Sequence, residues 1–213
     1  MPENRRQTVE ALLRTKLVAV VRSEAPVGVI EAVHALKTGG VRCVEITMTI
    51  PNAVSVIEQL NSETPGILIG AGTVMTSKMA EKCIAAGAEF VVSPVFDSDV
   101  VARTRELGKV AIPGALTPTE VVTAWASGAD LVKIFPAARV GPKYLSDLKA
   151  VFPEIPLVPT GGIDSENIAD YFRAGAAVVC AGSWLVDKQA IAAGDFDILM
   201  KKAEQLLAAM PQA

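Results

Sequence analysis

Short apolar runs recur along this chain, separated by longer stretches in which apolar and polar residues mix at helical spacing. The runs are KLVAVVR (16–22), RCVEITM (42–48), GILIGAG (66–72), AEFVVSP (88–94), KVAIPG (109–114), ADLVKIF (129–135), PLVPTGG (156–162) and AVVCAGS (177–183). They begin roughly 20–27 residues apart, and the segments between them read as helices. The pattern therefore predicts eight strand–helix units. Most of the strands are apolar on both faces, as in parallel sheets covered by helices. Eight such units in a chain of 213 residues predict an α/β fold, a (β/α)8 TIM barrel. A doubly wound open sheet is the rival architecture.

Punctuation residues support these boundaries. Pro26, Pro51, Pro118 and Pro142 stand at expected helix starts, where a missing N–H costs nothing. Thr117 and Glu120 in TPTE form a capping-box pattern. Gly39-Gly40, Gly87, Gly108, Gly128 and Gly175 close helices before the next strand. Residues 3–14 predict an extra helix ahead of the first strand, and 195–210 a final one. No linker or composition shift divides the chain, so one barrel domain over 1–213 is expected.

Composition narrows the chemistry. With a net charge of −3 and no basic block, nucleic acid is not an expected partner. No apolar run reaches the length of a membrane span, and no signal peptide opens the sequence, so a cytoplasmic location is expected. Cys43, Cys83 and Cys180 are scattered and form no CxxC pair. The single histidine, His34, falls in a helix-patterned stretch and reads as a structural residue. Together these leave neither a zinc site nor a Ser-His arrangement, and neither metal nor cofactor is expected.

In a barrel of this kind the active site lies at the C-terminal ends of the strands. Polar residues at those ends are Arg22, Glu45, Thr47, Thr73, Ser93, Lys133, Thr160 and Ser183. Only Glu45 and Lys133 are charged in the middle of apolar runs. Alternation puts Lys133 on one face with Leu131 and Phe135, and Glu45 with Thr47. The inward face is favoured, because the layer under the helices is dry and close-packed. A buried Lys–Glu pair serving only packing is the bland reading, but such pairs contribute little net stability. The functional reading is nucleophilic. Desolvation favours the neutral form of an amine, which can attack a ketone or aldehyde and form a Schiff base. A nearby carboxylate then moves protons as general acid and base.

Two glycine-rich turns, PTGGID and AGSWL, follow the seventh and eighth strands, where barrels frequently hold phosphate. Gly161, Gly162, Gly182 and Ser183 are the candidates. GAGTV (70–74) lacks the third glycine of a dinucleotide fingerprint, and its position suggests that Thr73 faces the pocket.

From about residue 12 to 210 the chain resembles the 2-keto-3-deoxy-6-phosphogluconate (KDPG) aldolase / 4-hydroxy-2-oxoglutarate aldolase family. VEITMT, GAGTV, VVSPVFD, IPGALTPTE, VKIFPA, PTGGI and AGSWLV carry the resemblance. It implies a class I aldolase on a (β/α)8 barrel, usually a homotrimer. Such an enzyme cleaves KDPG reversibly to pyruvate and glyceraldehyde 3-phosphate, in the Entner–Doudoroff route. Some members also take the galactonate epimer or 4-hydroxy-2-oxoglutarate. The resemblance implies that Lys133 forms the Schiff base and Glu45 is the acid/base. Thr73 and Thr160 would line the pyruvyl and hydroxyl region, Phe135 and Pro94 wall the pocket, and Gly161, Gly162 and Ser183 hold phosphate. Thr49 stands where some members carry an arginine, and Ala138 where some carry an acidic residue. Arg22, at the end of the first strand, is the expected substitute for that arginine; pairing with Glu24 at the surface is its bland alternative. A sugar-phosphate isomerase or epimerase, or a non-catalytic phosphate-binding module, are the other readings.

Overall fold

The computed structural model describes residues 2–211. Each apolar run forms a strand, and each strand pairs in parallel with its neighbours. One sheet holds β1 (Leu17–Val21), β2 (Cys43–Thr47), β3 (Leu68–Gly72), β4 (Phe90–Val92), β5 (Val110–Ile112) and β9 (Val179–Ala181), in the order β5-β4-β3-β2-β1-β9. A second sheet holds β6 (Gly114–Ala115), β7 (Val132–Ile134) and β8 (Leu157–Pro159). The run 109–114, expected as one strand, is two short ones. Pro113 lies between them and has no N–H for the ladder, although its carbonyl accepts Lys133 N at 2.9 Å. The other seam, between β8 and β9, is crossed by an isolated bridge from Thr160 to Cys180. These two seams join the sheets into the expected barrel.

Pairing of β1 with both β2 and β9 brings the first and last strands side by side. The loops after them must therefore be neighbours at the top of the barrel. Helices α2 (Val29–Thr38), α3 (Ala53–Glu63), α4 (Ser77–Ala85), α5 (Ser98–Glu106), α6 (Pro118–Ala126), α7 (Ala137–Val151) and α8 (Ile168–Arg173) follow the strands, then α9 (Lys188–Ala193) and α10 (Phe196–Ala208). Pro118 opens α6, and Thr117 and Glu120 complete the capping box. Pro142 starts the second half of α7, which is broken at Gly141. Pro26 and Pro51 differ from expectation: they stand before the capping residues Gly28 and Asn52 rather than at the first helical position.

Alternation sorts the side chains into two apolar layers. Val44, Ile46, Val132 and Ile134 pack under the helices. Val18, Cys43, Phe90, Ile112, Leu131, Val158 and Cys180 fill the barrel interior. The expected extra helix, α1 (Glu3–Thr15), closes the bottom of this inner layer with Leu12. Arg5 of α1 reaches Asp130, with Nη2 to Oδ1 at 2.6 Å, and Asp130 also accepts Ala111 N at 2.9 Å. Among the described residues no helix is long and apolar enough to cross a membrane.

Candidate active site

The inner face of each strand continues upward into a cavity of about 720 Å³ at the C-terminal end of the barrel. On β7, Lys133 follows Leu131 on the inward face and is only 6% exposed. Its Nζ lies 5.0 Å from the centre of the Phe135 ring, the next inward side chain. On β2, Glu45 follows Cys43 inward and is 1% exposed. Both charged groups line the cavity.

The carboxylate of Glu45 lies directly against β3. A Cβ at Gly72 would sit 1.8 Å from Glu45 Oε1, so only glycine leaves room for it. Burial pushes the Glu45 carboxyl above its ordinary value, and the charge of Lys133 acts in the opposite direction. Glu45 Oε2 is buried without a hydrogen-bond partner. No ion pair joins Glu45 to Lys133 among the described residues. That separates the two readings of the buried charges. A pair kept for packing would be closed and mutually satisfied, whereas here both residues line one cavity with no ion pair between them.

Arg22, Thr73, Pro94, Phe135, Thr160, Gly161, Gly182 and Ser183 also line the cavity, as expected. Thr73 holds a φ of 58°, rare for a β-branched residue, which marks strain at the rim. Phe135 is 40% exposed and walls the mouth beside Gly161. Arg22 makes no ion pair among the described residues; Glu24 pairs with Lys188 instead, at 3.2 Å. The surface Arg22–Glu24 pair is therefore absent.

Gly162 adjoins Gly161 in the same turn but is not among the lining residues. Its φ is 70°, and a Cβ there would come within 2.5 Å of the Ala138 methyl, so it packs on the start of α7. Its carbonyl accepts Asn167 Nδ2 at 2.9 Å. Ser93 is turned away, donating to Val95 O at 2.7 Å.

Other lining residues were not singled out as site residues. Thr47, which alternation had placed inward, also reaches the cavity; its Oγ1 donates to Val21 O and lies 2.8 Å from Thr49 Oγ1. Val20, Val186, Asp187, Lys188 and Gln189 complete the wall. The last three open α9, a helix too short to give a periodic signal. Its one legible mark is Asp187, whose carboxylate caps Gln189 N and Ala190 N.

Among the described residues no group of three or more His, Cys, Asp or Glu side chains is placed to hold a metal ion. Besides Lys133 and Glu45, the charged groups on the cavity wall are Arg22, Asp187 and Lys188.

Residues 9–202 match the model of the aldolase family described as KDPG and KHG aldolase. The chain belongs to this family. It is 40% identical over 199 residues to the 2-dehydro-3-deoxy-phosphogluconate aldolase of Treponema pallidum (strain Nichols), covering 93% of this chain and 95% of that one. It is 32% identical to the KHG/KDPG aldolase of Escherichia coli (strain K12), covering 95% and 96%. Among solved structures it is similar to KDPG aldolase from Legionella pneumophila with pyruvate captured at low pH as a covalent carbinolamine intermediate. That match has a TM-score of 0.86 at 30% identity and covers 93% of this chain and 97% of the other. The enzyme is thus a carbon–carbon lyase of the aldolase type, and the isomerase and non-catalytic readings fall away.

Proposed function

We propose that this aldolase cleaves 2-keto-3-deoxy-6-phosphogluconate reversibly to pyruvate and glyceraldehyde 3-phosphate, with Lys133 as nucleophile and Glu45 as acid and base. The observation that carries the assignment is the unpaired Glu45 carboxyl facing the same cavity as the buried Lys133 amine.

The steps follow from these two groups. The Lys133 amine attacks the C2 carbonyl to give a carbinolamine, and loss of water leaves an iminium. The Glu45 carboxylate takes the proton of the C4 hydroxyl. The C3–C4 bond then breaks: its electron pair moves into the iminium to give an enamine, and C4 leaves as the aldehyde. Glu45, now protonated, returns a proton to C3 of the enamine. Water hydrolyses the resulting pyruvate iminium and frees the amine. Burial raises the pKa of the Glu45 carboxyl, so its carboxylate is a stronger base than an ordinary one.

Arg22 is the proposed partner of the pyruvyl carboxylate. A guanidinium fork matches a carboxylate, and Thr49 carries no charge. Thr73 and Thr160 flank the reacting carbons, with Pro94 and Phe135 as apolar walls. Gly161, Gly182 and Ser183 form the backbone-rich end suited to phosphate.

Use of 4-hydroxy-2-oxoglutarate is a second activity of the same site, supported by the family's description and by the E. coli relative's name. It and the galactonate epimer differ from KDPG only beyond C3, so comparing kcat/KM for the three ranks them. The proposal includes a single domain, a homotrimer and a cytoplasmic location.

The test of the nucleophile is borohydride reduction in the presence of pyruvate. A covalent pyruvyl adduct is expected on the peptide containing Lys133, with loss of activity. Adduct on Lys143 or Lys149 would overturn the assignment. Lys133→Met should abolish trapping and keep the fold, since it retains the apolar volume.

A further inference from the structure

An aldol substrate of this class carries an anion at each end: the carboxylate beside the keto carbon and a phosphate on the far carbon. Three cationic side chains line the cavity: Arg22, Lys133 and Lys188. Lys133 must act as a neutral nucleophile, so it cannot serve as a fixed counter-charge. Arg22 is committed to the carboxylate in the reading above. That leaves Lys188 for the far end.

We infer that Lys188 is a specificity-determining residue that contacts the distal anion of the aldol substrate, and that Glu24 competes with that anion for it. The inference rests on the aldolase reading and adds to it a residue outside the glycine turns.

The backbone of Lys188 is fixed. Val186 N donates to Gly182 O at 2.8 Å, closing the turn that also carries Ser183. Asp187 caps α9 and accepts Lys202 Nζ from α10 at 3.0 Å. Ser183 and Lys188 thus belong to one anchored loop, facing the same cavity. The side chain of Lys188 is held by much less. It is 50% exposed, and its one ion pair among the described residues is to Glu24 at 3.2 Å, itself 89% exposed. Exposed pairs of this kind contribute only about 0.2–1 kcal/mol.

The position of Glu24 follows from topology. Strands β1 and β9 are neighbours, so the loops after them meet across the rim. Gly28, at the end of the first loop, already packs against Ile191 of α9. A phosphate dianion entering beside Ser183 offers Lys188 more charge than one carboxylate. The ammonium then leaves Glu24 for the substrate. The anchored loop limits the ordering cost, because only side-chain torsions change.

The experiment is steady-state condensation at saturating pyruvate, with glyceraldehyde 3-phosphate and unphosphorylated glyceraldehyde as acceptors. Lys188→Ala should lower kcat/KM for the phosphorylated acceptor about 10-fold, the scale of one charge-assisted hydrogen bond. The unphosphorylated acceptor should change less than about 2-fold, within the range of an exposed contact. Lys188→Arg should recover most of the loss. Glu24→Gln should lower KM for the phosphorylated acceptor, and should have no such effect in the Lys188→Ala background. Equal losses for both acceptors, or no loss, would overturn the role of Lys188. A raised KM in Glu24→Gln would overturn the competition. Borohydride trapping of pyruvate by the wild-type enzyme separates the two levels: if it fails, the Schiff-base reading fails, whatever Lys188 does.

Discussion

Glu45 shows how a site is set against stability at the level of one residue. Its carboxyl is dry, pressed against Gly72, and unpartnered at Oε2. The folded protein holds its proton more tightly than the unfolded chain does. Between the ordinary value of 4.5 and the raised one, the folded state therefore binds more protons, and stability falls as pH rises through that window. Above the ordinary value the buried carboxyl therefore costs stability that it does not cost in acid, and replacing it should relieve the penalty. Glu45→Gln is expected to raise the Tm at pH 7 and to converge with wild type in acid. Proton exchange at the pyruvate methyl should meanwhile fall by about 10²–10⁴-fold. Calorimetry across pH and exchange followed by NMR check both halves. Exchange at the wild-type rate would remove Glu45 from the mechanism. Both charged residues were legible from sequence, because an ionisable group inside an apolar run has few reasons to be there. That they line one cavity without pairing was not legible, since spacing within one strand is silent about the distance to another.

At the level of elements, α1 links the bottom of the barrel to the strand that carries Lys133, the proposed nucleophile. Arg5 and Asp130 meet where almost no water reaches, and Asp130 ties the approach to β7 back to β5. The interaction crosses the seam that Pro113 creates. Removing one partner leaves the other charge buried and uncompensated, which costs about 3–5 kcal/mol. Arg5→Ala and Asp130→Ala are each expected to lose that much in urea unfolding, while the double replacement Arg5→Met with Asp130→Leu should lose far less. Additive losses in the double variant would mean that the two side chains are not coupled. The helix itself was readable as an extra helix before β1. Its ion pair spans 125 residues of sequence, and no local pattern reports such a contact.

At the level of the whole molecule, closure of the barrel brings distant loops together. Loops after β1 and β9 are at opposite ends of the sequence yet share one rim. Met75 and Val95, in the loops after β3 and β4, are large apolar side chains left substantially exposed. Covering such residues favours association, consistent with the proposed trimer. Light scattering should give a mass about three times the 22.3 kDa of one chain. A mass equal to one chain would reject the trimer.

The sequence by itself determined the strand–helix alternation, the inward face of each strand and the two residues proposed to carry the chemistry. Side-chain alternation along a strand is a local property, so Leu131, Lys133 and Phe135 had to share a face whatever the sheet did. The tertiary structure decided what no local rule reaches. It packed Gly162 against Ala138, because the turn after β8 passes the start of α7 at close range. It paired Glu24 with Lys188 rather than with the nearby Arg22, because β1 and β9 lie side by side. And it brought Asp187, Lys188 and Gln189 into the pocket wall. Their position depends on where the chain returns after closing the barrel, which is fixed only when all the strands are in place.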